Sequence, residues 1–246
     1  MSNETEQREP LLKHMQELFV SIRWFIIFIF IGAGVGYVFS ESIVVWLKEP
    51  FVAVMGNSAG LAVINAFDKV FVKMRVALWS GILFAAPGLY ASIYYFVKPA
   101  LLKRERRMLN VMLGVVLVVF WGGLFFGQAY TVPVLLKAVM GLISSNEVSM
   151  LGLSSYINVT VGAMIATALL FELPVMMFFL SYAGWVSSRV WSSSRRGAIV
   201  ANAVVSAILS PPDVVSMLVM MVPIHVLYEV GILVSRMAEW RRNESR

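Results

Sequence analysis

Two glutamates set among cations carry the clearest chemistry in this chain. Glu105 is the one carboxylate in the stretch Lys98-Pro99-Ala100-Leu101-Leu102-Lys103-Arg104-Glu105-Arg106-Arg107, where five cations surround it, and Glu17 follows Lys13 and His14 near the start. By spacing alone, each is a solvated group that relieves repulsion between its neighbours. A carboxylate fixed on such a face can also grip a guanidinium through two parallel hydrogen bonds, the geometry to which arginine is suited. Further along, Glu172 interrupts a long apolar run, and His225 and Glu229 stand four apart, on one face of a helix. There is no cysteine, which excludes disulfides, thiol nucleophiles and thiolate metal sites, and His14 and His225 are the only histidines. Neither a His-Glu-x-x-His nor a Gly-x-Ser-x-Gly signature is present, so nothing points to an enzyme, a bound metal or a cofactor.

The elements that position these groups must live in lipid. With 59% hydrophobic and 14% charged residues and a mean hydropathy of +0.81, the chain lies far from soluble composition. Apolar runs bounded by charge or proline predict six membrane-spanning helices, at Trp24–Phe39, Arg75–Phe96, Leu109–Leu136, Tyr156–Ala183, Gly197–Leu209 and Val214–Val234. A soluble bundle would need polar helix faces that Val111–Phe126 and Val175–Leu180 do not have. The fold class is therefore all-α, a polytopic membrane protein read as one domain over residues 1–246. An amphipathic entry segment (1–23) leads into a six-helix bundle (24–236), and a tail (237–246) follows. No cleavable signal peptide is expected, since the first ten residues are polar and no small-residue cleavage site follows the first apolar run.

Orientation follows from the cations. Fifteen of the twenty lysines and arginines fall at the two termini and in every second connection, while Lys48, Lys69, Lys73, Arg75 and Lys137 fall on the other side. The positive-inside rule then puts both termini in the cytoplasm. These cations flank spans and do not line one soluble face, which argues against a nucleic-acid partner. The last two spans are expected to be short. Gly197 to Leu209 makes about 20 Å of helix against about 30 Å of hydrocarbon, and the sixth is interrupted by Pro223, His225 and Glu229. Such a pair implies a thinned bilayer or a wet cavity beside it. Glu172 poses a related problem, because a charge at a helix centre costs about 2.5–3.5 kcal/mol. A protonated carboxyl bonded to carbonyls freed by Pro174, and a polar anchor for a partner helix, are both consistent with it. Glu229 has its own plain reading, a carboxylate snorkelling to the interface or pairing with His225.

Before the first span, Leu11, Leu12, Met15, Leu18, Phe19 and Ile22 recur at helical spacing opposite Lys13, His14, Gln16, Glu17 and Ser21, which predicts a helix lying on the cytoplasmic interface. The order His14-Met15-Gln16-Glu17-Leu18, Phe96 with Pro99-Ala100-Leu101 and Glu105-Arg106, Phe171-Glu172-Leu173-Pro174, Ser210-Pro211-Pro212-Asp213, and Tyr228-Glu229-Val230-Gly231 with Ser235-Arg236 resembles the TatC family of the twin-arginine protein translocase. The resemblance covers nearly the whole chain.

It implies a receptor in the cytoplasmic (inner) membrane of a bacterial-type cell. Such a receptor binds twin-arginine signal peptides of folded precursors and gathers single-span TatA/TatB-type subunits into an oligomeric complex driven by the proton gradient. It further implies that Glu17 and Glu105 receive the arginine pair, with Phe96 and Lys103 shaping that patch. Glu172, Asp213, Met217 and Glu229 would then be the intramembrane polar and partner-helix positions. Phe19, Gln128 and Met217 depart from the family pattern, where an arginine, an aromatic residue and a polar residue are usual. The competing class is a proton-coupled small-solute transporter built around Glu172, His225 and Glu229, although no repeated half supports it. Remaining features read as structural. Trp24, Trp46, Tyr94, Tyr95 and Trp240 fall near span ends, the methionines pack, and Gly32, Gly36, Gly122, Gly123 and Gly127 permit close helix approach.

Overall fold

The structure, a computed structural model, describes residues 22–23, 25–56, 60–63, 67–97, 103–142 and 151–244, with the backbone alone at 91, 93–97, 103–109 and 243–244. The expected entry helix lies almost wholly outside the described residues, and His14, Glu17 and Phe19 with it. The described chain is helical: α1 (Phe25–Val38), α2 (Ser40–Met55), α3 (Asp68–Val97), α4 (Lys103–Phe126), a π turn (Gly127–Thr131), α5 (Val132–Leu142), α6 (Leu153–Phe171), α7 (Leu173–Ala183), α8 (Ser188–Ser193), α9 (Arg195–Leu209) and α10 (Val214–Glu244). Four continuous stretches are long and apolar enough to cross a membrane: Asp68–Tyr90, Asn110–Leu142, Leu153–Ala183 and Val214–Arg242. The pair α1 and α2, bent by 77° at Phe39, makes a fifth if it is one span. Large apolar side chains such as Phe30, Val118 and Ile208 are more than 70% exposed, the reverse of a water-soluble surface.

Three boundaries differ from the sequence reading. α2 is a helix where a loop was expected, because Glu41, Lys48, Glu49 and Pro50 break the apolar run although Ser40, Leu47 and Phe51 share one buried side. The second span begins at Asp68 and not Arg75, so Lys69 and Lys73 belong to its first turns. α10 is not short. It runs 31 residues, about 46 Å, straight through Pro223, and takes in residues 237–244, which had been read as a tail. α9, at 15 residues or about 22 Å, does remain too short for an upright crossing of ordinary hydrocarbon.

The chain divides into two compact units, residues 1–46 with 65–117 and residues 47–64 with 118–246. In the first, α1 and α3 approach backbone to backbone: a Cβ on Gly81 would sit 2.6 Å from the Ile29 carbonyl oxygen, and one on Gly32 2.9 Å from the Phe84 Cβ. The Lys73 ammonium in α3 bonds the Glu41 carboxylate in the first turn of α2 at 2.6 Å. In the second unit, α10 packs along α7 and α9 around Met177, Ala198, Tyr228 and Ile232. Small hydroxyl residues in the second unit donate to carbonyls of their own helix, as Thr167 does to Ala163 (2.8 Å) and Ser235 to Ile232 (2.8 Å). Tyr156 at the start of α6 donates to the Leu47 carbonyl (2.6 Å) and meets Phe51 edge to face.

Candidate functional site

Three of the first set of expected residues lie at the end of α3 and the start of α4. Phe96 is in the last turn of α3, and Lys103 and Glu105 are in the first turn of α4, so a five-residue connection separates the two helix ends. Glu17, their expected companion, lies outside the described residues.

The second set is built by prolines inside the membrane spans. Pro133 has no N–H to bond four residues back, and the chain before it opens into the π turn, where the Val132 N–H bonds the Gly127 carbonyl. Pro223 likewise leaves the Val219 carbonyl without its helical donor. The Tyr130 hydroxyl, presented by the π turn, donates to that carbonyl at 3.2 Å. This cross-helix bond explains why α10 continues where the sequence suggested an interruption. Pro174 withholds a third amide, and the helix breaks two residues earlier, at Glu172 between α6 and α7.

Glu172 is half-buried, and its Oε1 is enclosed with no hydrogen-bond partner among the described residues. The preceding Phe171 packs on Phe126 at 5.0 Å, and a narrow crevice beside them reaches Pro223 and Leu227 of α10. Glu229 is occupied: its two oxygens hold Nε and Nη2 of Arg195, both at 2.8 Å, which ties the start of α9 to the middle of α10. His225 does not pair with Glu229. Its Nδ1 lies 3.3 Å from the Asn202 amide nitrogen, and its ring stacks on Tyr228. Asp213 is occupied as well, since one carboxylate oxygen accepts the Ser216 N–H (2.8 Å) and hydroxyl (2.7 Å) and so caps α10. Met217 follows in that first turn, half-exposed. Sequence reasoning missed Tyr130, Asn202 and Arg195 as partners. A count of four residues back from each proline would have flagged the carbonyl that Tyr130 serves.

The sequence matches the model of the family described as TatC, Sec-independent protein translocase protein, over residues 13–223. The chain belongs to the TatC family. TatC of Magnetococcus marinus is 29% identical over 99% of this chain and 90% of its own length, and TatCy of Bacillus subtilis is 28% identical over 96% and 92%. A crystal structure of the twin-arginine translocase receptor TatC superimposes with a TM-score of 0.75 at 26% identity, covering 92% of this chain and 99% of that one. This TatC-family chain is thus a membrane component of the Sec-independent protein translocase, which sets aside the small-solute transporter reading. In TatC terms, the Ser210-Pro211-Pro212-Asp213 turn begins α10 with a built-in cap.

The cap gives a pH-dependent expectation. The Ser216 hydroxyl and N–H hold the Asp213 carboxyl below its ordinary value. A depressed pKa means that the stabilisation is complete above the unfolded value, near 3.9, and is lost as pH falls through the lower folded value. Asp213→Ala is expected to speed amide exchange at Ser216 and Met217 several-fold at pH 6, and Asp213→Asn to keep the slow rate and to hold it on acidification. Hydrogen exchange read by mass spectrometry checks both.

Proposed function

We propose that this chain is the signal-peptide receptor of a twin-arginine translocase, with Glu17 and Glu105 gripping the two consecutive arginines of a folded precursor's signal peptide. What carries the reading is the family match running from residue 13 to 223, which takes in both glutamates; Phe96 in the last turn of α3 and Lys103 and Glu105 in the first turn of α4 flank one five-residue connection. The chain crosses a bacterial-type cytoplasmic membrane six times, with both termini inside. The bent pair of α1 and α2, the four long stretches and the short α9 together supply the six crossings, and the orientation rests on the cation count. On a face so rich in lysine and arginine, a doubly cationic peptide binds only where carboxylates locally reverse the field.

Glu172 is the polar contact for a single-span TatA/TatB-type subunit. An enclosed carboxyl oxygen without a partner costs on the order of 1–3 kcal/mol, and a donor on an incoming helix recovers that. Met217, partly buried in the first turn of α10, is a second contact for such a helix, while Asp213 and Glu229 hold α10 and α9 in place for it. Assembly of these subunits around the receptor then uses the proton gradient to pass the precursor.

The test is a photo-crosslinker placed at Glu105 and, separately, at Glu172 in native membranes. At Glu105 it is expected to capture a precursor with its arginine pair and to miss the lysine-substituted version; at Glu172 it is expected to capture a single-span subunit. Equal capture of both precursors at Glu105 rules out the arginine-reading role.

A further inference from the structure

Pro223 divides α10 into two parts that are held very differently. Downstream, side chains tie the helix to its neighbours turn after turn: His225 Nδ1 lies 3.3 Å from the Asn202 amide nitrogen, Tyr228 donates to the Trp191 carbonyl (2.8 Å), Glu229 holds Arg195, and Glu239 accepts the N–H of Ser188 (2.7 Å). A buried stripe through Ile224, Tyr228, Ile232 and Ser235 accompanies these bonds. Upstream, only Ser216 and Met220 of residues 214–222 are buried, and the bond from Ser216 to Asp213 is local to the start of the helix. Among the described residues, one side-chain hydrogen bond reaches residues 214–222 from another element, that of the Tyr130 hydroxyl to the Val219 carbonyl (3.2 Å).

That bond stands at the weakest rung of the helix. Pro223 has no N–H to give the Val219 carbonyl, and a missing rung at proline is where helices bend. Inside hydrocarbon no water takes the place of the absent donor, so the Tyr130 hydroxyl both satisfies the carbonyl and fixes the angle between the two parts. Beside the proline lies the narrow crevice, lined by Met220 and Leu227 on either side of Pro223 and by Leu170 and Phe171 of α6. Packing joins Tyr130 to the same place. Its ring lies against Phe126 and that of Phe126 against Phe171, both at 5.0 Å between ring centres, and Glu172 is the next residue.

We propose that residues 214–222 form a hinged gate over the crevice beside Glu172, and that the Tyr130 hydroxyl holds this gate closed. Loss of the bond lets the segment swing about Pro223 while the rest of α10 stays fixed, which widens the crevice at Leu170 and Phe171. The gate is a property of this chain alone. Its use, admitting a subunit helix to Glu172, rests on the role proposed for that residue.

The experiment uses the full chain in neutral detergent. The chain has no cysteine, so Leu170→Cys supplies a single thiol on the crevice wall. Tyr130→Phe keeps the ring and removes the hydroxyl. It is expected to speed maleimide labelling of that thiol, and amide exchange over residues 216–222, by about three- to tenfold, while residues 228–236 exchange as in the parent. Pro223→Ala gives the Val219 carbonyl a helical donor of its own, so in that background Tyr130→Phe is expected to change either rate by no more than about twofold. This rescue separates the hydrogen bond from any packing role of the ring. The proposal is overturned if Tyr130→Phe leaves either rate unchanged, if the faster exchange extends equally to residues 228–236, or if the effect is undiminished in the Pro223→Ala background. Neither a signal peptide nor a partner subunit enters the measurement, so failure here leaves the receptor reading untouched, and failure of Glu172 to capture a subunit leaves the gate standing.

Discussion

A chain with glutamine at both Glu17 and Glu105 is expected to bind a twin-arginine signal peptide on the order of 100-fold more weakly or worse, while a peptide with both arginines replaced by glutamine binds the two chains within about twofold. The size follows from the chemistry. A hydrogen bond to a charged group contributes about 1.5–3 kcal/mol, and two such losses at about 1.4 kcal/mol per decade give two to four decades. The sign follows from the field. On the proposed orientation, which gathers fifteen cations on one face, neutralising two anions makes that face more repulsive to a guanidinium pair and leaves a neutral peptide indifferent. Each single variant is expected to show roughly half of the loss on a logarithmic scale unless one glutamate carries the pair alone. Fluorescence anisotropy with labelled peptides at two salt concentrations measures this, and the difference between peptides should shrink as salt screens the exposed charges. Equal weakening of both peptides would mean that the variant had damaged the fold and not the recognition.

Gly123→Leu is expected to be the most destabilising single substitution in the second unit. A Cβ at Gly123 would lie 2.6 Å from the Ala168 Cα and 2.9 Å from the Phe171 Cβ, and one at Gly127 would lie 2.8 Å from the Met164 Cα. Two of these neighbours are backbone atoms of α6 and the third is a Cβ, whose place the backbone fixes, so no rotamer change makes room. α4 must move away from α6, which forfeits the close packing that holds helices together where lipid supplies no hydrophobic drive. Overpacking of this kind costs about 1–3 kcal/mol or more, a midpoint loss of roughly 3–10 °C for a chain of this length. Gly122→Leu is the control, since nothing lies within 4 Å of a Cβ there, and it should unfold as the parent does. The substitution also reaches function, because Phe171 precedes Glu172. A Gly123→Leu chain that still folds is expected to recruit the single-span subunit poorly. Thermal unfolding in detergent and co-purification give the two readouts. An unchanged midpoint in Gly123→Leu would show that α4 and α6 are not in contact through this seam.

The contrast between Gly122 and Gly123 shows the limit of pattern reading. Both are glycine in an apolar run, and only the rotation of α4, shifted further by the π turn, decides which one faces α6. Proline behaved similarly. Pro50 and Pro223 each suggested a break, yet both sit inside continuous helices, whereas Pro174 does accompany one. At Pro223 the difference is Tyr130, 93 residues earlier in the chain, whose hydroxyl replaces the missing amide for Val219.

What this sequence determined alone was its solvent, its helical class and the family to which it belongs. Each depends on local composition or on short motifs, because the transfer of apolar residues into lipid and the need to satisfy every backbone amide within a span act residue by residue. Only the tertiary structure decided which intramembrane carboxyl remains unanswered. Glu229 found Arg195, Asp213 found the start of its own helix, and Glu172 kept an enclosed oxygen without a donor. In a medium without water a polar group is satisfied by whichever helix lies against it, and that neighbour is set by packing between segments far apart in the chain.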